Sequence, residues 1–261
     1  MDELRLLFLG DVVGKPGRQA IKSILRGLRA QGQYDAVVAN GENAAGCFGI
    51  TPAVADELFQ AGVDFITLGN HAFANREAVP LLETEPRVIR PANYPPGAPG
   101  RGSAIYSIGH GLRLGLINLL GRVFMEPLDD PFVVAKRELA ALRTKTPYII
   151  IDFHAEATSE KSAFAWFVDG LASAVIGTHT HVQTADERIM PKGTGYLTDV
   201  GMSGPIDGIL GIDRELVLRK FRTQLPVRFA VAGGPVAIAA VGLDLDADGH
   251  TAKIERYQFN I

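Results

Sequence analysis

Apolar and polar positions alternate along this chain in a regular rhythm. In the N-terminal half, the run LRLLFLG is followed by GRQAIKSILRGLRAQG, where Ile21, Ile24, Leu25 and Leu28 recur at helical spacing. YDAVVAN is followed by TPAVADELFQAG, with Thr51 placed to cap a helix and Pro52 at its first position. VDFITLGN is followed by NREAVPLLETEP. Strands that alternate with helices in this way predict βαβ units around a mostly parallel sheet.

The middle changes character. RPANYPPGAPGRGSA, rich in Pro and Gly, predicts a loop, and AIYSIGHGLRLGLINLLG predicts a hairpin turning at GHG. The helix PFVVAKRELAALRTK then leads to the strand YIIIDFH, and the helix SEKSAFAWFVDGLA leads to SAVIGTH. The tail alternates as antiparallel strands do and turns at DADG. With no repeat and no break in composition, the expectation is one α/β domain over residues 1–261, built on a mixed or doubled sheet.

Composition narrows the class. The chain is 47% hydrophobic and 21% charged with a formal net charge of -3, which argues against a basic nucleic-acid groove but leaves room for a small nucleotide. A single cysteine, Cys47, excludes an intrachain disulfide and favours a reduced, cytoplasmic setting. Acidic residues open the chain where a signal peptide needs positive charge. No run reaches the roughly 18 apolar residues of a membrane span, so no membrane association is expected.

The polar residues of the strand-like runs collect at their C-terminal ends. Asp11 follows the first run, Glu42 and Asn43 the second, and Asn70 and His71 the third. His154 closes IIIDFH, and His179 and His181 close VIGTHTH. Singly, each has an ordinary explanation as a turn former, a cap or a hydrogen-bonded histidine. Parallel strands deliver their C-terminal ends to one edge, where α/β folds bind ligands, and the coincidence of so many donors favours a site. His110 and His250, beside glycines in turns, are assigned no function. If residues 179–181 are extended, His179 and His181 share a face and Thr180 turns away. Imidazole and oxygen donors without thiolate suit Mn²⁺, Fe²⁺ or Zn²⁺, and there are more of them than one ion needs. Two ions about 3.5–4 Å apart, bridged by a carboxylate, fit better, with Glu42 the natural bridge.

Together GDVVGKPGR, NGENAAG, TLGNHAF, DFHAEATSEK, GTHTHV and TDVGMSGP resemble the YmdB-like branch of the calcineurin-like metallophosphoesterases, in order and through almost the whole chain. The resemblance implies a four-layer αββα sandwich with a di-metal centre holding iron or manganese, with zinc a further candidate. It implies that Asp11, Asn43 and His181 hold one ion, that Asn70, His154 and His179 hold the other, and that Glu42 bridges them. It also implies hydrolysis of 2′,3′-cyclic nucleotides at the 2′-ester: a metal-bridging hydroxide attacks phosphorus and His71 protonates the leaving group. The alternatives are a phosphomonoesterase or nucleotidase on the same scaffold, or a regulatory protein that senses a cyclic nucleotide. The chain departs from the wider superfamily in three places. GDVVG lacks a histidine two residues after Asp11, Glu42 stands where an aspartate is usual, and Ala72 follows GNH in place of an acid.

The residues that hold the nucleotide are less marked. Thr158, Ser159 and Lys161 lie at a helix start that can meet a phosphate, though capping is the plainer expectation. Lys15 and Arg18 are expected to face solvent or to lie at the start of the following helix, and Cys47 to be a small buried residue rather than a ligand. Phe48 and Phe73 are the candidate aromatics for a base. The segment PIDGILGIDRELVLRKF can carry an interface of a homo-oligomer or cover the core.

Overall fold

The computed structural model describes residues 4–109 and 111–261. In chain order the elements are β1 (Leu4–Leu9), β2 (Asp11–Val12), α1 (Gly14–Ala30), β3 (Ala36–Asn40) and α2 (Pro52–Ala61). There follow β4 (Phe65–Thr67), α3 (Ala78–Thr84), β5 (Val88–Ile89), β6 (Ser103–Ser107) and β7 (Arg113–Leu120). The second half has α4 (Pro131–Arg143), β8 (Ile149–His154), α5 (Thr158–Val168), β9 (Ala174–Thr178) and β10 (Arg188–Ile189). The chain ends with β11 (Gly195–Leu197), β12 (Met202–Pro205), α6 (Arg214–Thr223), β13 (Val236–Leu245) and β14 (Thr251–Asn260).

These strands form two sheets. One runs β2-β12-β13-β1-β3-β4-β5, with β14 added beside β13, and the other runs β10-β11-β9-β8-β7-β6. The pairs β1–β3, β3–β4 and β4–β5 are parallel, as are β7–β8, β8–β9 and β9–β11. Successive strand side chains point to opposite faces, so each parallel strand must bury both. Leu4, Leu6, Phe8 and Val38 meet Leu116, Ile150 and Ile176 between the sheets. Leu7, Leu9 and Val37 face Ile21, Leu25 and Leu58 of the first helical layer. Ile151, Phe153 and Val175 face Leu139, Phe164 and Val168 of the second. Each such side chain contributes about 1.5–3 kcal/mol on burial. The result is the helix–sheet–sheet–helix sandwich implied by the resemblance.

Local signals explain most boundaries. Thr51 Oγ1 accepts the Val54 N–H at 3.3 Å, and the Asp130 carboxylate caps α4 through the Phe132 N–H at 2.9 Å. The capping expected of Thr158 and Ser159 does not occur. Ala157 holds the cap position of α5 without a side-chain hydrogen bond, and Thr158 is already helical. His110, which falls between β6 and β7 in the sequence, lies outside the described residues. His250 lies at the turn between β13 and β14, with its ring 3.9 Å from the Asp246 carboxylate. Of the segment around α6, Val217 is buried while Leu218 and Phe221 are exposed. No helix among the described residues is long and apolar enough to cross a membrane.

Candidate metal centre

The polar residues at the strand ends come from both sheets and meet where the sheets face each other. Asp11 opens β2, Glu42 and Asn43 follow β3, and Asn70 and His71 follow β4. His154 ends β8 of the opposite sheet, and His179 and His181 follow β9. Asp11, Glu42, Asn43 and His154 are buried, while Asn70, His71, His179 and His181 line the accessible side.

Donor atoms from most of these side chains lie close to one another. His154 Nε2 lies 3.1 Å from Glu42 Oε1, 3.1 Å from Asn70 Oδ1 and 3.1 Å from His179 Nδ1. His181 Nε2 lies 3.2 Å from Asn43 Nδ2 and 3.9 Å from Asp11 Oδ1, and Asp11 Oδ1 is itself 3.9 Å from His154 Nδ1. Asn43 Nδ2 donates to Glu42 Oε1 at 3.2 Å, and Asp11 Oδ2 accepts the His179 N–H at 3.2 Å. Asp11 Oδ1 and Asn43 Oδ1 are buried without a hydrogen-bond partner among the described residues. Such orphaned oxygens are costly unless something else coordinates them. A set of imidazole, carboxylate and amide donors with unused lone pairs fits divalent cations. Glu42, His154 and His179 alone bring three such atoms within 4.8 Å of one another.

A supporting layer orients the imidazoles. Thr178 Oγ1 donates to Asp152 Oδ1 at 2.6 Å and so accepts from His154 Nδ1 at 2.8 Å, which leaves Nε2 aimed at the cluster. Asn40 Nδ2 also donates to Asp152, at 3.0 Å. His179 Nε2 meets the Glu156 carboxylate at 3.0 Å and His181 Nδ1 meets the Leu210 carbonyl at 3.1 Å, so each ring turns its other nitrogen inward. Asp152 was the residue most open to detection beforehand, a carboxylate inside the otherwise apolar IIIDFH. Glu156, Thr178 and Asp199 carry no comparable signal.

The doublet is not extended. Strand β9 ends at Thr178, and His179 and His181 have φ of 103° and 64°, in the left-handed region. Between them the Thr180 N–H donates to Asp199 Oδ2 at 3.0 Å. The two rings meet separate partners, His179 with His154 and Glu156, and His181 with Asn43 and the Leu210 carbonyl. Lys161 does not meet a phosphate either. It is buried, and its ammonium donates to the Thr178 carbonyl and to Asp199 Oδ2, each at 2.7 Å. Arg18 lies in the opening turns of α1, the second of its two expected places, and is largely covered, bonded to Glu57 at 2.7 Å and to the Ala44 carbonyl just after Asn43. Lys15 is exposed, and Cys47 is half-buried, with burial raising its thiol pKa. Phe48 packs on His71 with ring centroids 4.4 Å apart, and Phe73 meets Tyr94 edge-on at 5.2 Å.

Electrostatics divide the donors. Burial disfavours charge on His154, but the adjacent Glu42 and Asp11 outweigh it and raise its pKa to about 9. Burial alone would raise Glu42, yet His154 and His71 hold it down at about 2. Asp11 is pushed up by burial to about 6, partly offset by His181 and His154. His179 is lowered to about 3 by burial and by the neighbouring His154, so it is neutral and ready to coordinate. His71 donates its backbone N–H to Glu42 Oε2 at 3.0 Å, and burial lowers its imidazole pKa.

A four-layer sandwich with nitrogen and oxygen donors gathered where its two sheets meet defines a metallophosphoesterase-type protein. The model of the family described as YmdB-like protein matches residues 7–257, and the chain belongs to that family. It is 51% identical over 258 residues to the Bacillus subtilis 2′,3′-cyclic-nucleotide 2′-phosphodiesterase, covering 98% of this chain and 97% of that one. Its fold superposes with a TM-score of 0.93 and 45% identity on a hypothetical protein from Thermus thermophilus, covering 98% and 99% of the two chains. A novel phosphatase from Mycoplasma pneumoniae gives 0.92 at 34% identity, covering 100% of this chain and 94% of that one.

Proposed function

We propose that this chain is a metal-dependent phosphodiesterase that opens 2′,3′-cyclic nucleotides at the 2′-ester, leaving the 3′-nucleotide. The observation that carries the reading is the pair of buried, unpartnered oxygens, Asp11 Oδ1 and Asn43 Oδ1, beside the His154–Glu42–His179 cluster. A purely structural cluster would satisfy those atoms internally. The activity of the Bacillus subtilis relative supplies the substrate class. A small nucleotide in a reduced, cytoplasmic setting suits a chain with one cysteine.

Asp11, Asn43 and His181 would hold one ion and Asn70, His154 and His179 the other, with Glu42 between them. Nitrogen and oxygen donors of this kind suit manganese or iron, and also zinc. Two such ions supply Lewis-acid stabilisation of the phosphoryl oxygens and a strong nucleophile at neutral pH. The protein's own part is to hold the donors in place and to move one proton. His71 presents its ring on the accessible side of the cluster, fixed by its N–H to Glu42 and by Phe48 against one face. From there it protonates the departing 2′-oxygen. No acid follows in sequence to orient it, since Ala72 is buried and apolar. Burial and Phe48 define its environment instead.

The test is incubation of Mn²⁺-loaded protein with 2′,3′-cyclic AMP and chromatography of the products. Accumulation of 3′-AMP is the expected result. Release of 2′-AMP would reverse the substrate orientation, and turnover of phosphomonoesters alone would replace the reading with a phosphatase.

A further inference from the structure

A cleft of about 310 Å³ opens beside the cluster, bounded by Asn70 and His179 on one side and by Phe124, Met125 and Glu126 on the other. Phe124 is 89% exposed, the most exposed of the large apolar side chains described. It also sits at φ 62°, a left-handed conformation that a bulky side chain rarely adopts. Both features are locally unfavourable, and no packing among the described residues accounts for them.

The loop that carries Phe124 is nevertheless well held. The N–H groups of Arg122 and Val123 donate to the Glu160 carboxylate at 2.9 and 3.2 Å, and the Arg122 guanidinium pairs with Asp130 at 2.8 Å. The ring is therefore presented at the mouth of the cleft by a braced turn. The other nearby aromatics are engaged elsewhere, Phe48 on His71 and Phe73 on Tyr94.

We infer that Phe124 is the platform on which the nucleobase stacks while the phosphodiester lies at the donor cluster, an inference that rests on the nucleotide reading above. An aromatic face accepts any base, because every base has a π surface. The exposed Glu126 carboxylate on the same wall is placed to accept hydrogen bonds from a sugar hydroxyl or an exocyclic amine.

The experiment compares Mn²⁺-loaded wild type, Phe124→Ala and Phe124→Trp on 2′,3′-cyclic AMP and on glycerol 1,2-cyclic phosphate, a five-membered cyclic diester without a base. Phe124→Ala should raise KM for the nucleotide about tenfold with kcat held. Phe124→Trp should restore it, and the base-free diester should be handled alike by all three proteins. Equal losses on both substrates would make the loop a support of the site and overturn the inference. An unchanged KM for the nucleotide would overturn it too, while leaving the phosphodiesterase reading intact. A wild type that turns over the base-free diester but not the nucleotide would remove that reading and this inference together.

Discussion

The Lys161 ammonium lies 2.7 Å from Asp199 Oδ2, and both side chains are sealed from solvent. Between them they fix both peptide groups that flank His179. Lys161 binds the Thr178 carbonyl at 2.7 Å, and Asp199 Oδ2 accepts the Thr180 N–H at 3.0 Å. Asp199 Oδ1 reaches on to the Gly201 N–H at 2.9 Å. A histidine at φ 103° persists only where its surroundings over-determine it, and this ion pair is that constraint.

Removing one partner should therefore cost more than stability. Lys161→Met leaves a buried, uncompensated carboxylate, a loss of about 3–5 kcal/mol. It should also release the backbone that aims His179. Combining it with Asp199→Leu should recover much of the melting temperature but not the metal stoichiometry. Calorimetric melts and metal analysis of both variants separate the two effects. Full metal content in a restabilised double variant would show that the pair does not position His179.

Metal uptake should release protons. His154, with its pKa near 9, carries a proton at neutral pH that coordination must displace, and Asp11, near 6, adds a fraction. Titration of chelator-stripped protein with Mn²⁺ in buffers of different ionisation enthalpy should give about one proton released at pH 7.5. Affinity should climb from pH 6.5 towards 9. A buffer-independent heat would remove the His154 assignment.

The same groups set the pH stability of metal-stripped protein. The pKa of His154 is raised in the folded chain from 6.5 to about 9, so its pairing with Glu42 stabilises fully below pH 6.5 and is lost as pH rises through 9. Asp11 is also raised, from 3.8 to about 6, so its contribution fades earlier, as pH rises through 6. Melting temperatures in chelator should therefore decline between pH 6.5 and 9. With Mn²⁺ present they should hold or rise over that range, because loading improves. Parallel declines in both conditions would contradict this linkage.

Much of this site was legible beforehand because its donors sit where strands end, and strand ends are marked by a switch from apolar residues to glycine and polar ones. Asp11, Asn43 and His154 needed only that rule. The His179–Thr180–His181 geometry did not follow from it. Alternation predicts an extended pair, but Asp199, distant in sequence, draws the Thr180 N–H away and forces positive φ on both sides. Lys161 misled for a related reason. A lysine in a helix's first turn is normally solvated, and only the tertiary meeting of α5 with β9 buries it against Asp199. Phe124 had no signal at all, since exposure is a property of the folded surface and not of the string RVFME.

His71→Ala should keep its metal and lose activity. As donor of a proton to the leaving oxygen it is worth roughly 10²–10⁴-fold on an alkoxide leaving group. Activated esters such as bis(4-nitrophenyl) phosphate, whose leaving group needs no proton, should be nearly unaffected. Because burial lowers the His71 pKa below 6.5, the protonated form is depleted as pH rises, and kcat/KM for the cyclic nucleotide should fall on the alkaline side of that pKa. Equal losses on both substrates would assign His71 to binding or structure rather than to proton transfer.

Gly69 offers a test of how tightly the donors are set. A Cβ at this position would overlap both His154 Nε2 and Glu42 Oε2. Neither side chain is free to move aside, since His154 is held by Thr178 at 2.8 Å and Glu42 by the His71 N–H at 3.0 Å. Gly69→Ala should therefore displace Glu42, the proposed bridge, and His154, a proposed ligand of one ion. The overpacking cost is about 1–3 kcal/mol, which a chain of this size can absorb. The expected variant is folded, with a modestly lowered melting temperature, and deficient in bound Mn²⁺ by elemental analysis. Cys47→Ala, remote from these atoms in role and only half-buried, serves as the matched control and should load normally. A Gly69→Ala protein that binds its full complement of metal would mean that Glu42 and His154 tolerate displacement, and that the donors do not form the close cluster on which the phosphodiesterase proposal depends.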